Sequence, residues 1–126
     1  MQRFLWICLA GAVGSGARYL LTLAAMHSLG DRFPYGTLLV NLAGCFAIAA
    51  VMHVAMAQAW SPTLRAAITV GVLGGFTTYS SFNYETMRLI EQGAMARAAV
   101  NVAATLAGGW AAGLLGLFAA RALLAR

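Results

Sequence analysis

The chain has 126 residues, of which 62% are hydrophobic and only 9% charged, with a mean hydropathy of +0.81. A soluble domain of this size needs far more charge to cover its surface, so the composition excludes one. The formal net charge of +5 does not indicate nucleic acid, because all eight basic residues are arginines scattered singly along the chain.

A helix crosses the hydrocarbon core with about 20 largely apolar residues, and four segments reach that length. The first predicted span runs from Phe4 to His27. Its start, with Arg3 and small residues at Val13 to Ala17, has some likeness to a secretory leader. The apolar run resumes after Arg18 with Tyr19 to Met26, too long for a leader. Ala10 and Gly14, and Ala12 and Gly16, are four apart and form strips on which another backbone can approach closely. Arg18 is the one charge well inside a span. It either snorkels to the interface, pairs with an acid such as Glu85, or marks an ion path. Cys8, and Cys45 on the next span, read as small apolar residues, without disulfide or metal-site spacing.

The second span is predicted from Gly36 to Ala59. Thr37 and Asn41 lie one turn apart on one face. The Asn41 amide either bridges two helices or donates its N–H to an anion in a pore. His27 is read as interfacial and His53 as a packing residue. Neither has a carboxylate on its face, so no proton relay is expected. Trp6 and Trp60 sit near span ends, where indole rings favour the headgroup region.

The third span, Leu64 to Ile90, contains Gly71-Val-Leu-Gly74-Gly75-Phe76-Thr77-Thr78-Tyr79-Ser80-Ser81-Phe82. Paired glycines followed by Thr-Thr and Ser-Ser make a poor helix. Either the helix kinks and its hydroxyls bond back to the i−4 carbonyls, or it breaks. Unwound backbone at that depth survives only inside protein or along a wet path, where it can hold ions. Phe76, Tyr79 and Phe82 either pack or turn positive ring edges toward an anion. Glu85 follows near the span end, three residues before Arg88.

The fourth span is predicted from Ala98 to Leu124. Asn101 and Thr105 stack on one face, as a polar seam or an ion path, and the track then gives way to Gly109 and Gly113. Ala104 and Gly108 add a further small pair. Trp110, near mid-span, reads as a packing residue whose indole N–H needs a partner.

The connectors, 28–35, 60–63 and 91–97, are short, so residues 1–126 form one all-α, four-span membrane domain. Four spans put Arg3, Arg65, Arg121 and Arg126 on one side and Arg32, Arg88 and Arg97 on the other. Orientation normally follows arginine and lysine asymmetry. Its near absence here predicts insertion in both orientations and an antiparallel dimer.

Three stretches carry a family resemblance: Ala10-Gly-Ala-Val-Gly14-Ser-Gly16-Ala-Arg18-Tyr19, Gly36-Thr-Leu-Leu-Val-Asn41-Leu-Ala-Gly44, and the Gly71 to Phe82 run. In order and at this spacing, they resemble the signatures of the CrcB/Fluc fluoride channels. The resemblance implies an antiparallel, dual-topology homodimer in the inner (plasma) membrane, with two fluoride pores along the subunit interface. It implies passive export of fluoride that entered as HF and dissociated in the cytoplasm. It also implies a structural Na+ on the two-fold axis, held by carbonyls that fall on Gly74 and Thr77. Asn41 falls on the pore asparagine, Tyr79 and Phe82 on the pore phenylalanines, and Ser80, with Ser81 next to it, on the hydroxyl beside the rings. Arg18 and Glu85 fall on the charges closing the first signature and following the third. Thr37, Asn101 and Thr105 complete the expected polar path. Two departures stand out: Tyr79 replaces a phenylalanine, and the fourth-span track ends early.

Two rivals come from other classes. A proton-coupled exporter like the small multidrug-resistance proteins needs a titratable carboxylate in the membrane core. Span one has none, and Glu85 lies near a span end. For a non-transporting membrane assembly protein, the glycine seams alone would suffice.

Overall fold

The computed structural model describes residues 1–125; Arg126, assigned above to the terminal side, lies outside the described residues. The described chain is helical, in the order α1 (Gln2–Leu29), α2 (Tyr35–Ala57), α3 (Pro62–Ala66), a π-helical turn (Ala67–Val72), α4 (Leu73–Phe76), α5 (Tyr79–Glu91) and α6 (Met95–Leu124). Among the described residues, α1, α2 and α6 are each long and apolar enough to cross a membrane. Local chemistry sets the ends. Gly30, at φ 81°, closes α1, and Gly93, at φ 72°, makes the turn into α6; both conformations favour a residue without Cβ. Ser61 Oγ accepts from Leu64 N at 3.2 Å, and Pro62 starts α3 where no N–H is needed.

Two pairings build the molecule: α2 packs along α6, and α1 packs along the run from the π-helical turn through α4. Glycine permits both. A Cβ on Gly14 would collide with the Val72 carbonyl, and one on Gly71 would sit 2.6 Å from the Ala10 methyl. Across the other pair, a Cβ on Gly116 would meet the Phe46 backbone, and one on Gly108 would lie 2.9 Å from Leu42. The expected small strips are therefore used unequally. The Ala10–Gly14 strip packs, whereas a Cβ on Gly16 would meet nothing within 4 Å. Gly116, which belongs to no predicted pair, makes the closest approach on α6.

The π-helical turn shifts the register of the segment that meets α1. Its last step is the Leu73 N–H donating to the Ile68 carbonyl, one residue beyond the α-helical spacing. Such turns are rare and often mark functional segments.

Much of the outer surface is apolar and exposed, including Leu9, Val13 and Leu20 on α1 and Leu114, Leu115 and Phe118 on α6. That distribution suits a chain surrounded by lipid or by a second copy.

Candidate functional site

The helical run from Pro62 ends at Phe76, and the next two residues are extended, Thr77 at φ −81°, ψ 158° and Thr78 at φ −152°, ψ 115°. The Thr77 N–H and hydroxyl both donate to the Leu73 carbonyl, at 3.0 and 2.9 Å, which ends α4. Thr78 is then pinned from another helix. Asn41 Nδ2 donates to the Thr78 carbonyl at 3.0 Å, and the Thr78 N–H donates to Asn41 Oδ1 at 2.9 Å. The amide thus serves Thr78 as a neighbouring strand would, by offering one donor and one acceptor. The Thr78 hydroxyl in turn accepts from the Ser81 N–H at 3.1 Å and caps α5. It also donates to Ser81 Oγ at 3.0 Å and lies 3.3 Å from Ser80 Oγ.

In an unbroken helix the Thr78 N–H would go to the Gly74 carbonyl, and the Ser81 N–H to the Thr77 carbonyl. Both donors are diverted, the first to Asn41 Oδ1 and the second to Thr78 Oγ1. The Gly74 and Thr77 carbonyls thereby lose their helical donors, as do those of Gly75 and Phe76, because Tyr79 and Ser80 open α5. The neighbouring Gly75 carbonyl instead receives the Ser15 hydroxyl of α1, at 3.5 Å.

A groove of about 400 Å³ opens beside this break, lined by Asn41, Gly74, Thr77, Thr78, Tyr79, Phe82, Thr105, Gly109 and Trp110 among others. The Tyr79 and Phe82 rings are tilted at 57° with centroids 5.6 Å apart. Phe82 is 6% exposed and Tyr79 76%. Thr105 also lines the groove, and its Oγ1 is buried without a hydrogen-bond partner among the described residues. Asn41 adds a second donor, since only one of its two Nδ2 protons is spent on Thr78.

The other predicted site residues lie elsewhere. Thr37 Oγ1 donates to Glu85 Oε1 at 2.8 Å, so Glu85 is engaged by α2 and not by Arg18. Glu85 lines a second cavity of about 450 Å³ at one end of the bundle, with Asp31, Arg32, Arg88 and Arg97. Three arginines read as isolated in sequence are therefore neighbours there, and Arg97 donates to the Arg32 carbonyl at 3.0 Å. Glu85 Oε2 is buried without a partner among the described residues. Arg18 is half-buried on α1 and lines neither cavity. Asn101 is 1% exposed. It donates to Thr86 Oγ1 at 2.9 Å, and Thr86 donates to the Phe82 carbonyl at 2.7 Å. Asn101 thus acts as a tie between α6 and α5 within the protomer.

Two contributors were not singled out in the sequence, and a third was read differently. Thr78 is the hub of the break. Its one local signal is a threonine three residues before Ser81, the spacing of a helix cap. Thr86 is identified only through its contact with Asn101. Trp110, expected to pack, is 79% exposed and borders the groove. Five residues after Thr105, it lies off the Asn101–Thr105–Gly109 face, so that track gave no signal for it.

Among the described residues, three helices long and apolar enough to cross a bilayer define a multi-pass membrane protein. The chain matches the family described as CrcB-like protein, Camphor Resistance (CrcB), over residues 5–117, and it belongs to that family. It is 52% identical over 109 residues to a protein of Anaeromyxobacter sp. (strain K) named Fluoride-specific ion channel FluC, covering 86% of each chain. Proteins with the same name from Sorangium cellulosum (strain So ce56) and Geobacter sp. (strain M21) are 48% and 45% identical, over 99% and 98% of this chain and 99% and 100% of theirs.

Proposed function

We propose that this protein is a fluoride-selective channel, not an enzyme, that passively exports cytoplasmic fluoride and so relieves its toxicity. The observation that carries the reading is the break at Thr77 and Thr78, held open by Asn41 beside a groove with unspent donors. Fluoride is strongly hydrated, so a selective path must replace its water with close donors while rejecting larger chloride. The spare Asn41 N–H, the Thr105 hydroxyl and the ring edges of Tyr79 and Phe82 supply donors of that kind. None carries a full charge, so a bound anion can leave.

In this reading α3 to α5 together form a fourth crossing, and the chain assembles as an antiparallel, dual-topology homodimer in the inner membrane. The groove faces outward from the protomer, so a second copy completes each pore. A structural Na+ fits the break. Among the described residues no three of His, Cys, Asp and Glu gather to hold a cation, whereas the Gly74 and Thr77 carbonyls have lost their helical donors to Asn41 and Thr78. Oxygen donors suit a hard cation. Bound there, Na+ would supply fixed positive charge near the groove and cross-link the two broken helices.

Fluoride-electrode recording from proteoliposomes tests the reading, with chloride loading and an imposed proton gradient as controls. Fluoride efflux without chloride efflux or proton dependence is expected. Proton-dependent flux would instead favour a coupled exporter, and no flux an assembly protein. Asn41→Asp removes the amide donors and adds negative charge beside the path, so fluoride efflux should be abolished. Wild-type efflux from that variant would take Asn41 out of the pore.

A further inference from the structure

We infer that Asn41 is a positioning residue for the cation site, and that its amide, acting through Thr78, determines whether the carbonyls of that site are available. The inference rests on the Na+ reading above and assigns Asn41 a task separate from donating to an anion. The Gly74 carbonyl is free because the Thr78 N–H is drawn to Asn41 Oδ1, at 2.9 Å. The Thr77 carbonyl is free because the Ser81 N–H is drawn to the Thr78 hydroxyl, at 3.1 Å. The reciprocal bond from Asn41 Nδ2 to the Thr78 carbonyl, at 3.0 Å, fixes Thr78 in the extended conformation that places its hydroxyl over the start of α5. One side chain on α2 thereby governs two ligands on a different segment. It touches neither of them.

Without the Asn41 acceptor, the Thr78 N–H has an obvious alternative partner, the Gly74 carbonyl four residues back. The helix then closes by one bond and a cation ligand is consumed. Without the Thr78 hydroxyl, the Ser81 N–H has the Thr77 carbonyl as its corresponding partner. Both losses act in the same direction by separate routes. An aspartate at position 41 behaves differently: it still accepts from the Thr78 N–H and brings negative charge toward the cation, but it has no donor for the Thr78 carbonyl.

The test is thermal unfolding of the purified full-length chain in detergent, followed by tryptophan fluorescence across a Na+ titration at constant ionic strength. An inert organic cation balances the salt. Wild type should be stabilised by Na+ with a measurable midpoint. Asn41→Ala and Thr78→Val should each raise that midpoint by about 10- to 100-fold, as loss of groups that orient ligands does at other metal sites. Asn41→Asp, although expected to be dead for fluoride, keeps the acceptor that frees the Gly74 carbonyl and should raise the midpoint less than Asn41→Ala does. A purely pore-lining Asn41 would not move the midpoint, and a general packing defect would lower the baseline without changing it. A wild-type midpoint in Asn41→Ala or in Thr78→Val overturns the inference, as does an Asn41→Asp midpoint shifted as far as that of Asn41→Ala. If Asn41→Ala does not fold, Thr78→Val and Asn41→Asp carry the test. A wild type indifferent to Na+ removes the cation reading and this inference with it, while fluoride efflux from the same preparation is judged independently.

Discussion

Tyr79 presents its ring to the groove with 76% of its surface exposed, and its tilted partner Phe82 lies beneath it. If the ring edge is what an anion meets, the phenolic oxygen is dispensable and the ring is not. We predict that Tyr79→Phe retains fluoride efflux. An aromatic contact of about 0.5–1.5 kcal/mol is worth roughly 2- to 10-fold in rate, so Tyr79→Leu should be slower by that factor. Electrode traces from matched liposomes decide it, and equal efflux from the leucine variant would sink the ring-edge argument. Residue types alone left Asn41 and Asn101 open between a structural tie and a donor to an anion. The difference lies in their neighbours. Asn41 reaches an extended backbone beside a groove, while Asn101 is enclosed against Thr86. Neither partner is near in sequence, so no local pattern could have told the two amides apart.

For the helices themselves, the unequal use of small residues gives a direct comparison on α1. A methyl at Gly14 would run into the Val72 carbonyl, 2.8 Å from Val72 C and 3.0 Å from Phe76 N, whereas one at Gly16 meets nothing within 4 Å. Gly14→Ala should cost about 1–3 kcal/mol through overpacking, and Gly16→Ala should gain up to about 1 kcal/mol from helix propensity. Unfolding of both variants in detergent measures the contrast. A neutral Gly14→Ala would mean that α1 slides freely along the π-helical turn. The run of apolar residues was enough to find α1, α2 and α6 in the sequence within a few residues of their ends. The Gly74-Gly75 and Thr77-Thr78 pairs likewise marked where the third segment is weakest. The π-helical turn at Ala67–Val72 was invisible, because no residue preference marks it; it lies where Gly71 and Gly75 fit closely against α1.

Across the whole molecule, three arginines collect at one end, where Arg32, Arg88 and Arg97 share a cavity with Asp31 and Glu85. Arg3, Arg65 and Arg121 belong to the opposite side by their order along the chain. With so little difference between the ends, the membrane has no strong reason to choose an orientation. We predict that a reporter fused to the C-terminus is found on both faces of the membrane in comparable amounts. Its appearance on one face alone would rule out an antiparallel pair of identical chains. The exposed apolar face beside the groove, including Ile48, Leu106 and Trp110, is where a second copy would bury surface that lipid otherwise covers.

The break contains no proline, and its geometry is imposed by an amide 37 positions earlier in the chain. Taken alone, residues 62–91 have nothing that forbids the missing turn. A synthetic peptide of that segment in detergent should give the amide-proton pattern of one uninterrupted helix, with Thr78 N–H protected. The segment can therefore enter the bilayer as an ordinary rod that leaves no backbone group bare to lipid. We predict that it comes apart only when α2 docks, so that a chain whose α2 never docked would be inserted, helical and closed.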